Sequence, residues 1–234
     1  NGPAVIFNNI AGYPGKKLVL GVHGSFTNLA LLLGHPKGTT IKELFYDIIS
    51  RWGDDKPLLD FIEPEAAPVN ENRLTDNFNL YDLLPLYRIN EYDGGFYIGK
   101  ANVVQVQAPG EFTLLSVPAH DMGRHSVAAE QENVPLKISV MLGNHPAMCM
   151  FAATPVGYEE SEFAYASQMM GSPLRLTKSG NGMDILADSE MVIEAELMNG
   201  VRSFEGPFGE FPGSYSGVRK IPRFKVTAIS HRND

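Results

Sequence analysis

One stretch limits the possible folds more than any other: Glu205-Gly-Pro-Phe-Gly-Glu210-Phe211, followed by Pro212-Gly213-Ser-Tyr215. Gly206, Pro207 and Gly209 suit neither a helix interior nor a regular strand. The segment is therefore expected to be a rigid, irregular loop. Phe204, Phe208 and Phe211 are available to wall off water. A carboxylate beside aromatic rings is partly desolvated, which raises its pKa and lets it exchange protons near neutrality. The alternative is that Glu205 and Glu210 are ordinary solvated loop acids.

The flanking sequence sets the fold class. Met191–Leu197, Phe224–Ser230 and Leu136–Leu142 alternate apolar and polar residues and each reads as a strand, and Glu111–Val117 continues in strand style. Leu18–Val22 reads as a short buried strand, and Phe96–Val104 as a further candidate. Helices are fewer. Ser25–Leu33 has a Ser start and a Gly34 stop. Thr40 and Glu43 form a capping box. Behind it Ile41, Leu44, Phe45, Ile48, Ile49 and Trp52 recur at helical spacing, with Gly53 as the stop and Trp52 as a core anchor. Pro118–Gln131 reads as helical, with Asp121 and Arg124 spaced to pair. Ser161 would cap a helix running through Met170 to Gly171. Pro57, Pro64 and Pro68 make 54–79 a long surface connection, which divides the chain into an N-terminal α/β portion, 1–79, and a remainder, 80–234. Several strands and few long helices define an α+β or β-barrel core.

Charge and cysteine content narrow the function. The net charge is −8 and no basic run exceeds Lys16-Lys17, so a nucleic-acid role is disfavoured. No apolar stretch approaches the roughly 20 residues of a membrane helix. The single cysteine, Cys149, lies in an apolar run, which reads as a buried inert thiol in a reducing, cytoplasmic setting. Neither a G-x-G-x-x-G fingerprint nor a Walker-type phosphate loop occurs.

The wording of the Glu205–Phe211 loop resembles the signature of the UbiD-like decarboxylases, which use prenylated FMN. Further landmarks follow in family order: Gly2-Pro-Ala-Val-Ile-Phe7, Ile89–Gly95, Leu142-Gly-Asn-His-Pro146, Ala153-Thr-Pro155, Ala187-Asp-Ser-Glu190 and Ser230–Asp234. The resemblance covers essentially the whole chain. It implies a split β-barrel of the flavin-reductase type with flanking helices. Both ends look cut, because relatives carry a segment before Gly2 and an oligomerisation domain after Asp234. The implied reaction is reversible, non-oxidative decarboxylation of an aromatic acid. The Val117-Pro-Ala-His-Asp121 and Leu83–Gly95 runs lean towards the hydroxybenzoate and vanillate branch. Heteroaromatic or acrylic acids, and a non-catalytic flavin-binding relative, stay open.

The resemblance also assigns roles. Glu210 would donate the proton to the carbon that loses CO2, and Glu205 would pair with an arginine. His120 and Glu162 would bind a manganese-type ion that grips the cofactor phosphate, with a monovalent cation (K+ or Na+) nearby. From the residues alone, His120 reads equally as a capping or surface histidine, and Glu162 as a first-turn acid favoured by the helix dipole. Ala152, Ala153 and Thr154 match the stretch whose backbone meets the flavin, and Lys178 a basic position near it. A flavin prenyltransferase would supply the cofactor, and a homo-oligomer is implied. The family's Asn-x-Gly-x-Tyr-Arg segment, which carries the arginine and a third metal ligand, is absent. Its expected place is the Val104–Gln105 junction.

Overall fold

A computed structural model describes residues 3–52, 58–77, 79–83, 104–116, 121–154, 156–157, 160–209 and 213–233. The strand expected over Phe96–Val104 falls outside these residues except for Val104, as do Gly53 and the Cys149 side chain.

The N-terminal portion opens with β1 (Val5–Phe7) and β2 (Leu18–Leu20), which pair antiparallel. Helix α1 (Phe26–Leu32) starts where Ser25 Oγ accepts the Asn28 N–H at 3.1 Å. Helix α2 (Ile41–Arg51) carries the expected capping box: Thr40 Oγ1 accepts the Glu43 N–H at 3.3 Å, and Glu43 Oε2 accepts the Thr40 N–H at 2.8 Å. Its apolar stripe is only partly used. Leu44 is buried, whereas Ile41, Phe45 and Ile49 are exposed. Trp52 is 50% exposed and leans on Tyr165 at a ring separation of 5.8 Å, so it does not anchor the core.

The span expected to be a surface connection holds more structure than its prolines suggest. Strand β3 (Leu59–Phe61), two tight turns opened by Pro64 and Pro68, and β4 (Asn72–Leu74) lie within it. Ala67 and Val69 are buried there. A short helix, α3 (Leu80–Leu83), follows.

Strands β5 (Val104–Ala108), β6 (Glu111–Leu114), β7 (Lys137–Leu142), β10 (Met191–Glu205) and β11 (Arg219–His231) build the main antiparallel sheet. Their order is β5-β6-β11-β10-β7, and β4 joins β11 beyond β6. β5 runs unbroken through the Val104–Gln105 junction, with Val104 opposite Leu114 and Gln105 opposite Thr113. Between β10 and β11 the register slips twice. At the second slip, Met198 to Val201 of β10 are spanned on β11 by Arg223 alone. A smaller sheet, β3-β8-β9, adds β8 (Leu174–Lys178) and β9 (Asp184–Leu186), with β3 parallel to β8.

The main sheet has a core on each face. Helix α4 (Asp121–Glu132) covers Phe112, Phe224, Ile138, Val140 and Ile193. The opposite face meets α5 (Pro146–Ala152) and α6 (Glu162–Met170) through Met141 and Val192. α6 ends, as its sequence indicates, at Gly171 in the left-handed region with φ 62°.

The sheet is curled. Neighbouring strands lie about 4.8 Å apart, so β5 and β10, with two strands between them, would be roughly 14 Å apart in a flat sheet. Yet Gln107 Nε2 donates to the Phe204 carbonyl at 3.0 Å, and Gln105 Oε1 accepts the Gly206 N–H at 2.9 Å. Side chains, rather than a strand ladder, bridge this seam, as expected of a split barrel. Landmark runs from distant parts of the chain also meet. Ser189 Oγ donates to Asn144 Oδ1 at 2.6 Å, and the Arg232 N–H donates to the Glu190 carbonyl at 3.0 Å.

Candidate active site

Glu205 is the last residue of β10 rather than part of the loop, and the irregular segment begins one residue later. Cross-strand pairing places Glu205 opposite Arg219, and Thr113 opposite both Gln105 and Arg223. Directly paired residues share a face. Glu205, Arg219, Thr113 and Gln105 therefore line the same concave side, away from α4.

The carboxyl is 2% exposed, and among the described residues its Oε2 has no hydrogen-bond partner. Burial pushes it up to about 7, against smaller downward pulls from the Thr113 hydroxyl and the Arg219 charge. The expected desolvation is present, but not all of the expected wall: Phe204 is 68% exposed. The strands bury this acid instead. Beyond it, the Phe208 N–H donates to Ser216 Oγ at 2.9 Å, the Ser216 N–H returns to the Phe208 carbonyl at 2.8 Å, and Gly209 bridges to Tyr215. The loop is thus tied down from within.

On the α4 face, at the edge of the sheet marked by Arg219, a groove of about 270 Å³ opens between α4 and the β10–β11 end, bordered by Ser116, Ser126, Glu130, Arg202 and Lys220. Arg202 is gripped by Glu130 through both guanidinium nitrogens, which holds the Glu130 carboxyl below its usual range. The cations left over make the groove positive within an acidic chain.

The other expected residues lie on or beside α5, α6 and β8. Ala152 closes α5 and is buried, Ala153 is exposed, and Thr154 Oγ1 donates back to the Met150 carbonyl at 3.0 Å. Glu162 opens α6 and is fully buried, in the first turn where a carboxylate is favoured. α5 and α6 pack together, so Ala152 and Glu162 belong to one neighbourhood. Lys178 ends β8 and pairs with Asp184 at 2.7 Å. His120, Glu210 and Phe211 lie outside the described residues. Among the described residues no group of three or more His, Cys, Asp or Glu is placed to hold a metal. Sequence reading missed Gln105, Gln107, Thr113 and Arg219. The Gln-Val-Gln alternation, which puts two amides on one face, signalled the two glutamines, and nothing local signalled Thr113 or Arg219.

A curled antiparallel barrel flanked by helices, with a buried acid at the end of its longest strand, defines a class that the comparisons identify. Residues 61–234 match the 3-octaprenyl-4-hydroxybenzoate carboxy-lyase Rift-related domain, and residues 1–48 the N-terminal domain of the same carboxy-lyases. The chain belongs to the UbiD family.

It is 40% identical to a phenolic acid decarboxylase of Sedimentibacter hydroxybenzoicus, over all of this chain and 53% of that protein. The closed form of the vanillic acid decarboxylase of the same organism superposes with a TM-score of 0.89 at 37% identity, covering 99% of this chain and 53% of that one. An evolved dimeric form of the UbiD-class enzyme HmfF from Pelotomaculum thermopropionicum, in complex with prFMN, has a TM-score of 0.83 at 25% identity, covering 98% and 56%. The chain spans about half the length of the curated relatives it matches. The Sedimentibacter alignment runs over 257 positions against 234 residues here, so that relative carries residues between the aligned ends that this chain lacks.

Proposed function

We propose that this chain is the cofactor-binding part of a carboxy-lyase that decarboxylates an aromatic acid of the hydroxybenzoate or vanillate type, with prenylated FMN as cofactor. One observation carries the reading: Glu205 is a buried carboxyl that can hold or release a proton near neutrality, paired across the strands with the cationic Arg219. The relatives' activities and the prFMN complex of one of them support it.

No side chain is an electron sink, and the modified flavin supplies that chemistry when bound. The chain's own residues bind, orient and move protons. Glu162, a buried hard oxygen donor, fits a divalent ion such as manganese, and His120 would be its companion. A K+ or Na+ site belongs to the same reading. The backbone of 152–154 would meet the flavin. Lys178 would have to loosen its pairing with Asp184 to reach a phosphate. Glu210 would hand the proton to the ring carbon, and Glu205, held largely protonated below about pH 7, would remain neutral.

The test is CO2 release from 4-hydroxybenzoate and vanillate with the prenylated cofactor supplied. Glu210→Gln should lower turnover by about 100-fold or more while the bound-flavin spectrum survives. Full turnover by that variant would remove Glu210 from its role. A second reading is a flavin-binding relative without catalysis. It is favoured by the missing Asn-x-Gly-x-Tyr-Arg segment, and it predicts the bound spectrum without CO2 release.

A further inference from the structure

We propose that Gln105, Gln107 and Thr113 act together as positioning residues for Glu205, bracketing it from the opposite side of the barrel seam. The contacts fall on either side of the acid. Gln107 Nε2 donates to the carbonyl of Phe204, the residue before it, and Gln105 Oε1 accepts the N–H of Gly206, the residue after it. Gln107 Nε2 also donates to Thr113 Oγ1 at 3.1 Å, and the Thr113 hydroxyl donates towards the Gln105 carbonyl at 3.4 Å. Two side chains of β5, with Thr113 of β6 linking them, thus hold the end of β10 at Phe204 and the first residue beyond it, Gly206, across the seam.

The residue types matter. An amide both donates and accepts, so two glutamines can grip a carbonyl and an N–H without adding charge. A lysine or a carboxylate in either place would bias the Glu205 proton by a full charge. Among the described residues, Arg219 from β11 is the charged group paired opposite Glu205. Arg223, further along that strand, is engaged by Glu111 at 2.6 Å. β5 and β6 present Gln105, Gln107 and Thr113 to this face, all neutral. The bracket therefore fixes where the carboxyl sits, and so how deeply it is buried, which dominates its proton affinity, with Thr113 and Arg219 pulling the other way.

This rests on the proposed decarboxylase only for what the proton is used for. The test needs neither cofactor nor substrate. The Glu205 carboxyl is followed by carbon-13 NMR across pH, assigned by its loss in Glu205→Gln. Thr113→Val should raise the Glu205 midpoint by about half to one pKa unit, and Thr113→Ser should restore it. Gln105→Leu should speed hydrogen exchange of the Gly206 amide about tenfold or more at an unchanged melting temperature. If Gln105→Leu unfolds the chain, the Thr113→Val and Thr113→Ser pair decides alone. A Glu205 midpoint unmoved in Thr113→Val, or Gly206 exchange unmoved in folded Gln105→Leu, overturns the inference. Normal shifts without CO2 release would keep the bracket and remove the catalytic reading.

Discussion

Glu205 gains affinity for its proton on folding, and stability must answer to that. Below about pH 4.5 the carboxyl is protonated in both states, so it adds no pH dependence. Between its ordinary value of 4.5 and about 7, the unfolded chain ionises while the folded one stays protonated. The folded state then binds more protons, and stability falls as pH rises through this window. The shift corresponds to at most about 3.5 kcal/mol, fully expressed above pH 7. Glu205→Gln should remove this slope and be the more stable protein at pH 8, with little difference at pH 4.5. Urea midpoints at the two pH values check this, and a wild-type midpoint that does not fall between them would contradict it.

At the scale of single elements, what the sequence made legible was local. The Ser25 cap, the Thr40–Glu43 box and the Gly171 stop each depend on residues within one turn, and each is where the spacing put it. Strands β7, β10 and β11 announced themselves by alternation, although β10 and β11 run further than the pattern. Burial was not legible, because it depends on what packs opposite. Ile41, Phe45 and Trp52 have the right spacing for a core, yet α2 turns only Leu44 fully inward. Leu44→Ala should therefore cost about 2–5 kcal/mol. Phe45→Ser should change stability by less than about 0.5 kcal/mol. Thermal melts of both variants separate the two faces. The three-residue strands β3 and β9 were invisible because so short a run has no period to detect. In the candidate site, Glu205 could be singled out from its wording, though not its place on a strand. The bracket around Glu205 could not, because it joins residues a hundred positions apart.

Across the whole molecule, both cores share one sheet. β7 contributes Val140 to one and Met141 to the other, and β10 contributes Ile193 and Val192 in the same way. Neither core can be lost without exposing strands that the other needs. The chain should therefore unfold in a single step. Trp52 fluorescence, which reports on the α2–α6 side, and far-ultraviolet circular dichroism should give the same urea midpoint. Two separated midpoints would show independent units.

The second register slip between β10 and β11 has a consequence for the acid. Strict alternation from Leu197 would send Glu205 to Leu197's own side, onto α4 and the stacked Phe112–Phe224 rings. The surplus residues opposite Arg223 are odd in number, so parity reverses and the carboxyl arrives in the hollow with Thr113. A lineage that lost or gained one residue in 198–201 would keep its hydrophobic layers while turning the Glu205 carboxyl to the opposite face of the sheet.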